Sequence, residues 1–264
     1  MLKGHLIVHG GGTTGKDATG TFLKRVGSLS APIVVLGQVS EDPVGKGQRS
    51  ADWLKENGAT GDVYVARVTE ADASTLPELV TKLKAARGYW IPGGDQNRFM
   101  KRFAVSPVPA LLRAILDNGG AGGGSSAGAS LVGERMPTGY KGSQSVDDED
   151  RTKLTQNSVG TAPGLNTLPG FVVDTHFLYR ERTQRSVDIL LSNPRLAVIG
   201  VDQDGWFAVD RAKDTLTVGA GQIVTLTARA PVKTDSAGRL ACDDVRMRVL
   251  LPGQTVRLSE LKSR

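Results

Sequence analysis

Residues 122–130 read GGGSSAGAS, and this short segment indicates both the architecture of the chain and its chemistry. Within it, Gly124-x-Ser126-x-Gly128 matches the G-x-S-x-G nucleophile elbow, which presents a serine on a tight turn between a strand and a helix. A Cβ atom at either glycine would collide with the backbone of such a turn. The pattern predicts Ser126 as a nucleophile, whereas a flexible glycine-rich loop without chemistry would have a similar composition.

The residues on either side of this segment favour the elbow. Residues 111–116 are predicted to form a helix that ends at 118–120, an Asn-Gly-Gly stop signal. Residues 127–132 are small or apolar, so a buried helix can begin directly after the serine. The N–H of Ala127 would then lie at a helix N-terminus, where an acyl oxyanion is stabilised.

Short apolar strands alternate with amphipathic helices in the first half of the chain. The strands are predicted at 6–8, 33–36, 63–66 and 90–91. This alternation predicts an α/β fold, a mostly parallel sheet flanked by helices on both faces, with ligands bound beyond the carboxyl ends of the strands. From about residue 205 to 264 the pattern changes to short β segments, so we expect a single domain over 1–264 with a β-rich C-terminal part.

The composition argues against several classes of protein. No segment approaches the roughly 18 apolar residues of a membrane span, and residues 1–9 lack the layout of a signal peptide. The single cysteine, Cys242, excludes an internal disulfide framework and a multi-cysteine metal site. The net charge of +6 is spread along the chain and only 5% of residues are aromatic, which argues against nucleic-acid binding. We therefore expect a cytoplasmic protein without a membrane or nucleic-acid partner.

The first glycine cluster imitates a nucleotide-binding loop. Gly10-x-x-x-x-Gly15-Lys16 follows the first strand, as in a P-loop. The next residue should be Ser or Thr to bind magnesium, but it is Asp17, whose carboxylate would repel phosphates. A tight glycine turn at the edge of the sheet is the simpler interpretation, and a nucleotide-binding module is the competing hypothesis.

The chain has three histidines, which makes the search for a general base short. His5 and His9 flank the first strand, and we expect them to be packed structural residues. His176 ends an apolar segment, where a sheet would deliver it to the ligand edge beside a candidate nucleophile, so His176 is the predicted base. Residues 133–162 are polar and include an acidic run at 147–150, and this pattern predicts a solvated loop.

Four motifs in this order resemble the cyanophycinase branch of the S51 serine peptidases. They are PGGDQ at 92–96, GSSAGA at 124–129, LPG at 168–170 and DTHF at 174–177. The resemblance covers nearly the whole chain. It implies an α/β sandwich with a serine nucleophile, a histidine base and a glutamate that orients the histidine. It also implies peptide substrates with β-linked Asp-Arg units, as in cyanophycin, no cofactor or metal, and a homodimer.

The resemblance assigns roles to residues of this chain. Ser126 would attack the carbonyl carbon, His176 would take its proton, and the N–H groups of Gly94 and Ala127 would form the oxyanion hole. The residues that match substrate-binding positions of the family are Gln96, Asp174, Thr175, Arg180, Arg182 and Arg185. Guanidinium groups bind carboxylates bidentately, which suits an exopeptidase that holds a terminal carboxylate. Thr175 stands where the family often has Gln, which leaves the side-chain preference open.

The main departure from the family lies at Gln203, where the glutamate is expected. A Gln carbonyl can still accept from the histidine Nδ1–H, but it cannot stabilise the imidazolium by charge. Asp202 and Asp204 flank it, and along a strand they would point to the opposite face. A slow natural enzyme, a natural non-catalytic relative and a deliberate acid-to-amide substitution all fit this residue.

The sequence thus predicts a serine exopeptidase that resembles cyanophycinase and forms an acyl-enzyme on Ser126. The alternative is a peptide-binding relative on the same scaffold that hydrolyses its ligand negligibly.

Overall fold

The computed structural model describes residues 3–69, 72–140 and 154–262. The acidic run at 147–150 lies outside the described residues. None of the described helices has the length and apolar character that crossing a bilayer requires.

The strands and helices follow one another as alternating βα units in the first half and mainly as strands in the second. The strands are β1 (His5–His9), β2 (Ile33–Val35), β3 (Val63–Val65), β4 (Gly88–Ile91), β5 (Ala121–Ser125), β6 (Gly133–Tyr140), β7 (Val159–Pro163), β8 (Leu168–Thr175), β9 (Ala197–Val201), β10 (Trp206–Asp210), β11 (Thr215–Ala220), β12 (Ile223–Ala228), β13 (Val232–Thr234), β14 (Leu240–Cys242), β15 (Val245–Leu250) and β16 (Thr255–Arg257). The helices are α1 (Lys16–Val26), α2 (Pro43–Glu56), α3 (Leu76–Ala85), α4 (Gln96–Phe103), α5 (Val108–Asp117), α6 (Ala127–Ser130), α7 (Thr183–Ser192) and α8 (Leu258–Leu261).

The first sheet carries the predicted parallel strands. Its order is β16-β11-β10-β1-β5-β4-β2-β3, and the strands from β1 to β3 in this order are parallel. Both faces are buried: Ile7 packs with α1 and α2, whereas Leu6 and Val8 pack with α3, α4 and α5. Parallel strands end at one edge, so the turns after β1, β4 and β5 lie together there.

The second sheet lies against the first through a shared apolar core. Its order is β15-β12-β9-β8-β6-β7, and β6, β8 and β9 are parallel. Phe171, Val173 and Ile199 of this sheet belong to the same buried cluster as Leu6 and Val8. The short helix α6 contacts both β5 and β8, so it joins the two sheets beside the serine motif.

The structure confirms the α/β class with a mostly parallel sheet and a β-rich C-terminal region. The C-terminal strands complete both sheets, because β10, β11 and β16 extend the first and β12 and β15 extend the second. The prediction of a solvated loop over 133–162 is wrong at both ends, where β6 and β7 form an antiparallel pair. The polar residues of β7 are tolerated because it is the edge strand of its sheet.

The central strand β5 is glycine-rich because aromatic rings from β4 occupy the space beside it. A Cβ atom at Gly122 would lie 2.4 Å from the Tyr89 hydroxyl oxygen, and one at Gly123 would lie 2.3 Å from Cε3 of Trp90. Tyr89 and Trp90 are both buried. The glycine run is therefore required by tertiary packing as well as by the turn that follows it.

This packing predicts that Gly123→Ala lowers the free energy of unfolding by about 1–3 kcal/mol, because the new methyl group overpacks a rigid core. Urea denaturation measures the effect as a lower midpoint at an unchanged slope. The matched control is Gly20→Ala in α1, where nothing lies within 4 Å of the added Cβ atom. There we expect a gain of about 0.5–1 kcal/mol from helix propensity. Equal stability of Gly123→Ala and the wild type would contradict the packing of Trp90 on β5.

Candidate active site

Ser126 lies on a strained turn between β5 and α6. Its φ of 52° and ψ of −113° are unusual for a residue with a side chain. Its N–H donates to the carbonyl oxygen of His9 at 2.9 Å, which ties the turn to the end of β1. A Cβ atom at Gly124 would lie 2.5 Å from the carbonyl carbon of Gly128, and one at Gly128 would lie 1.9 Å from the carbonyl oxygen of Ile91. Both glycines of the motif are thus needed for the serine to reach this position.

His176 comes to the serine from the other sheet. It follows β8, and its Nε2 lies 2.8 Å from the Oγ of Ser126. The backbone of His176 also has a positive φ, 49°, and its N–H donates to the carbonyl oxygen of Gly10 at 3.2 Å. The two predicted residues, 50 positions apart in the chain, are therefore within proton-transfer distance.

The first glycine cluster forms the support for the imidazole ring. A Cβ atom at Gly11 would lie 2.3 Å from Cε1 of His176, so the backbone of this turn lies directly against the ring. Asp17, which replaces the expected P-loop Ser or Thr, accepts a hydrogen bond from Nε1 of Trp206 at 2.9 Å. These contacts account for the cluster without a nucleotide, in agreement with the simpler interpretation of the sequence.

Gln203 is the third side chain of a hydrogen-bonded row that also contains Ser126 and His176. Its Nε2 lies 2.9 Å from Nδ1 of His176, on the side of the ring opposite Ser126. If the amide N–H₂ group donates to Nδ1, the imidazole proton resides on Nε2 and the ring cannot accept the serine proton. Rotation of the amide by 180° brings its carbonyl oxygen to Nδ1 and gives the tautomer that can act as a base.

The surroundings of His176 favour its neutral form. Burial, followed by the guanidinium groups of Arg180 and Arg182, lowers the pKa of the imidazole to about 4. The carboxylates of Asp202 and Asp174 oppose this shift without cancelling it. The ring is therefore neutral at pH 7, as a general base must be, but it is a weak base.

The residues next to Gln203 form a turn that holds the loops of the site together. Strand β9 ends at Val201, so the prediction that Asp202 and Asp204 lie along a strand is wrong. Asp202 Oδ1 accepts from the N–H groups of Gln203 at 2.8 Å and Tyr179 at 3.1 Å. Asp204 has a positive φ of 58°, and its Oδ1 accepts from the N–H of Thr13 at 2.7 Å. Both carboxylates thus bind backbone groups of neighbouring turns.

Asp174 lies in a closed network behind His176. Its side chain is fully buried and accepts from Nε of Arg185 at 3.0 Å and from Oγ of Ser186 at 2.8 Å, and Nη2 of Arg185 contacts its other oxygen. Arg182 donates through Nη1 to the carbonyl oxygen of Thr175 at 2.6 Å. These bonds fasten the start of α7 to the end of β8 and so fix the segment that carries the histidine.

A pocket of about 650 Å³ opens above Ser126 and His176. Of the other residues predicted for the site, Gly94 and Arg180 also line it. The remaining predicted substrate-binding residues are not among its lining residues: Gln96, Asp174, Thr175, Arg182 and Arg185. Gln96 instead donates to the carbonyl oxygen of Pro137 at 2.7 Å. Five of the six residues thus have protein partners or positions outside this pocket, and their part in substrate binding stays a prediction.

The oxyanion hole remains a prediction that the geometry accommodates. Ala127 is the first residue of α6, so its N–H has no acceptor within that helix. Gly94 lines the pocket next to Gly93, whose added Cβ atom would lie 3.8 Å from Oγ of Ser126. Gly94 is thus placed beside the pocket, and the role of the Ala127 N–H in the oxyanion hole stays a prediction.

Several pocket residues were not predicted from the sequence. They are Thr13 and Thr14 after β1, Trp90 and Pro92 at the end of β4, and Lys46, Arg49, Ser50 and Trp53 on α2. The signal that could have found the first four is their place after strands of a parallel sheet. The residues on α2 gave no comparable signal, because their approach to the site depends on how the helix packs.

The chain is similar to known proteins in both its sequence and its fold. A cyanophycinase from Nostoc sp. is 27% identical over 210 residues, which cover 79% of this chain and 67% of the relative. A cyanophycinase from Geminocystis herdmanii is 27% identical over 247 residues, which cover 92% and 87%. The crystal structure of a peptidase from an acI-B1 Actinobacterium superposes with a TM-score of 0.68 at 17% identity and covers 97% of both chains. No family model matches the chain.

These findings confirm the predicted resemblance to cyanophycinases, and the structural neighbour confirms the fold. We conclude that the chain is similar to cyanophycinases over most of its length and shares the fold of the actinobacterial peptidase.

Proposed function

We propose that the chain is a serine exopeptidase that hydrolyses β-aspartyl-linked peptides through an acyl-enzyme on Ser126. The observation that carries the proposal is the 2.8 Å contact between Oγ of Ser126 and Nε2 of His176 at the floor of a pocket. The similarity to cyanophycinases supports the choice of β-aspartyl peptides, with cyanophycin and β-Asp-Arg dipeptides as the reference substrates.

The proposed reaction begins when Oγ of Ser126 attacks the carbonyl carbon of the β-peptide bond. His176 accepts the hydroxyl proton at Nε2 and later gives it to the leaving amine. The oxyanion accepts hydrogen bonds from the N–H groups of Gly94 and Ala127, and the positive end of α6 stabilises its charge. The resulting ester is hydrolysed by water, which His176 activates in the same manner.

Gln203 limits the rate of this reaction in two ways. Its amide carries no charge, so the imidazolium formed in each step has no anionic partner at Nδ1. Only one orientation of the amide gives His176 the tautomer with a proton on Nδ1. The low pKa of His176, about 4, further weakens the base. We therefore expect slow turnover. The tests below also distinguish the alternative function, in which the chain binds such peptides but hydrolyses them negligibly.

The proposal retains the expected homodimer and cytoplasmic location, both of which come from the resemblance and the composition. It requires no metal or cofactor, since the steps above use side chains and backbone groups of this chain.

The role of Ser126 predicts that Ser126→Ala lowers product formation by about a thousandfold or more. Mass spectrometry of products from cyanophycin and from β-Asp-Arg measures the loss, and labelling with a sulfonyl fluoride reports the reactivity of Ser126 in the wild type. Ser30→Ala, at an exposed serine, serves as the control and should keep full activity. Activity that survives in Ser126→Ala would place the nucleophile elsewhere.

The role of Gln203 predicts that Gln203→Glu raises kcat by about two to four orders of magnitude, because a carboxylate stabilises the imidazolium and fixes the tautomer. Gln203→Ala removes both the hydrogen bond and the side chain, and it should be no faster than the wild type. Initial rates on one β-aspartyl dipeptide compare the three proteins. An unchanged kcat in Gln203→Glu would mean that the charge at this position does not limit the reaction.

The lowered pKa of His176 predicts the pH dependence of kcat/KM. The neutral imidazole is the active form, so activity of the wild type should be constant near pH 7 and should fall only as the pH approaches about 4. In Gln203→Glu the added carboxylate favours the imidazolium, so the same fall should occur at higher pH. A wild-type profile that already falls near pH 6.5 would contradict the shift caused by burial and by Arg180.

A further inference from the structure

The helix α2 presents one polar face to the pocket. Lys46, Arg49, Ser50 and Trp53 all line it, and their spacing of i, i+3, i+4 and i+7 places them on the same side of the helix. The helix is held in place by its other side, whose buried residues are Gly47, Ala51 and Leu54. The two cations therefore reach the pocket from a well-packed element.

The carboxylates near α2 already have other partners. Asp42 caps the helix by accepting from the N–H of Gly45 at 2.8 Å, and Asp52 accepts from Nε2 of Gln48 at 2.7 Å. Glu41 pairs with Arg98 at 3.0 Å. Across the described parts of the chain, Lys46 and Arg49 form no ion pair with a carboxylate. Their charges are thus available to a bound molecule.

In the described part of the chain, all charged side chains that line the pocket are cations. Arg180 adds a third cation, and no Asp or Glu is among the lining residues. Oδ1 of Asp204 lies next to two lining residues, Gly12 and Thr13, and it accepts the N–H of Thr13, which occupies this carboxylate. An arginine side chain of a substrate would find hydroxyl groups and two indole rings here, but it would lie close to Lys46 and Arg49.

The number of cations in the pocket can be compared with the number of carboxylates on the substrate. A β-aspartyl dipeptide carries two carboxylates in any case, the α-carboxylate of its aspartyl residue and its C-terminal carboxylate, and one α-ammonium group that offsets one of these charges. A pocket with three cations and no anion has one cation left for a further carboxylate. We infer that Lys46 and Arg49 select β-aspartyl peptides whose leaving residue is acidic, such as β-Asp-Glu, over β-Asp-Arg. This inference rests on the proposed function and narrows its substrate class.

Two measurements on the same dipeptides test the inference. The first compares kcat/KM of the wild type on β-Asp-Glu, β-Asp-Leu and β-Asp-Arg. The second measures binding of the three dipeptides to Ser126→Ala by calorimetry, so that slow chemistry does not hide recognition. We expect β-Asp-Glu to be preferred over β-Asp-Arg by about tenfold or more in both, because each charged hydrogen bond contributes on that scale. The preference should shrink as salt is added.

Charge reversal on α2 tests which residues cause the preference. Lys46→Glu with Arg49→Glu should invert the order of kcat/KM on β-Asp-Glu and β-Asp-Arg, mainly through KM. Lys55→Glu is the matched control, since Lys55 is an exposed cation of the same helix outside the pocket lining. It should keep the wild-type order.

The outcomes separate this inference from the proposed function. Cleavage of the dipeptides with β-Asp-Arg preferred, or a preference that survives charge reversal, would overturn the inference and leave the peptidase intact. Selective binding of β-Asp-Glu to Ser126→Ala without cleavage by the wild type would support the inference and refute hydrolysis. Neither binding nor cleavage of any dipeptide would overturn both.

Discussion

The hydrogen bond between Oγ of Ser126 and Nε2 of His176 depends on the position of one sheet relative to the other. The serine follows β5 of the first sheet and the histidine follows β8 of the second. Helix α6 contacts both strands, and the apolar residues shared by the two sheets hold them at a fixed distance. A shift of about 1 Å between the sheets would lengthen this bond beyond useful proton transfer.

Both partners of this bond are held in strained backbone conformations. A residue with a side chain and a positive φ costs on the order of 1–3 kcal/mol, and Ser126 and His176 each have one. The strain is offset locally, because the N–H of Ser126 is bonded to His9 and that of His176 to Gly10. The end of β1 and its glycine turn thus support both halves of the site. This explains why a segment that imitates a phosphate-binding loop is present in a peptidase-like fold.

Most of the charged groups around the site favour negative charge over positive charge there. Burial and nearby guanidinium groups keep His176 neutral, and the pocket above it is lined by cations without a described carboxylate. The side chain at Nδ1 of His176 is the neutral amide of Gln203, which cannot stabilise an imidazolium by charge. The same positive field that weakens the base favours an anionic substrate and a developing oxyanion. A bound carboxylate would in turn relieve part of the unfavourable effect on the histidine.

The sequence alone determined the α/β class, the turn at Ser126 and the identity of its partner. The hydrophobic periodicity, the glycine spacing and the small number of histidines can be read directly from the sequence. It also pointed to Gln203 through resemblance. Tertiary structure decided that Asp174 and Arg185 bind each other, that β6 and β7 pair, and that Lys46 and Arg49 line the pocket. Those features depend on contacts between elements that are far apart in the chain. The sequence does not show whether the partner of a polar residue is protein, water or substrate.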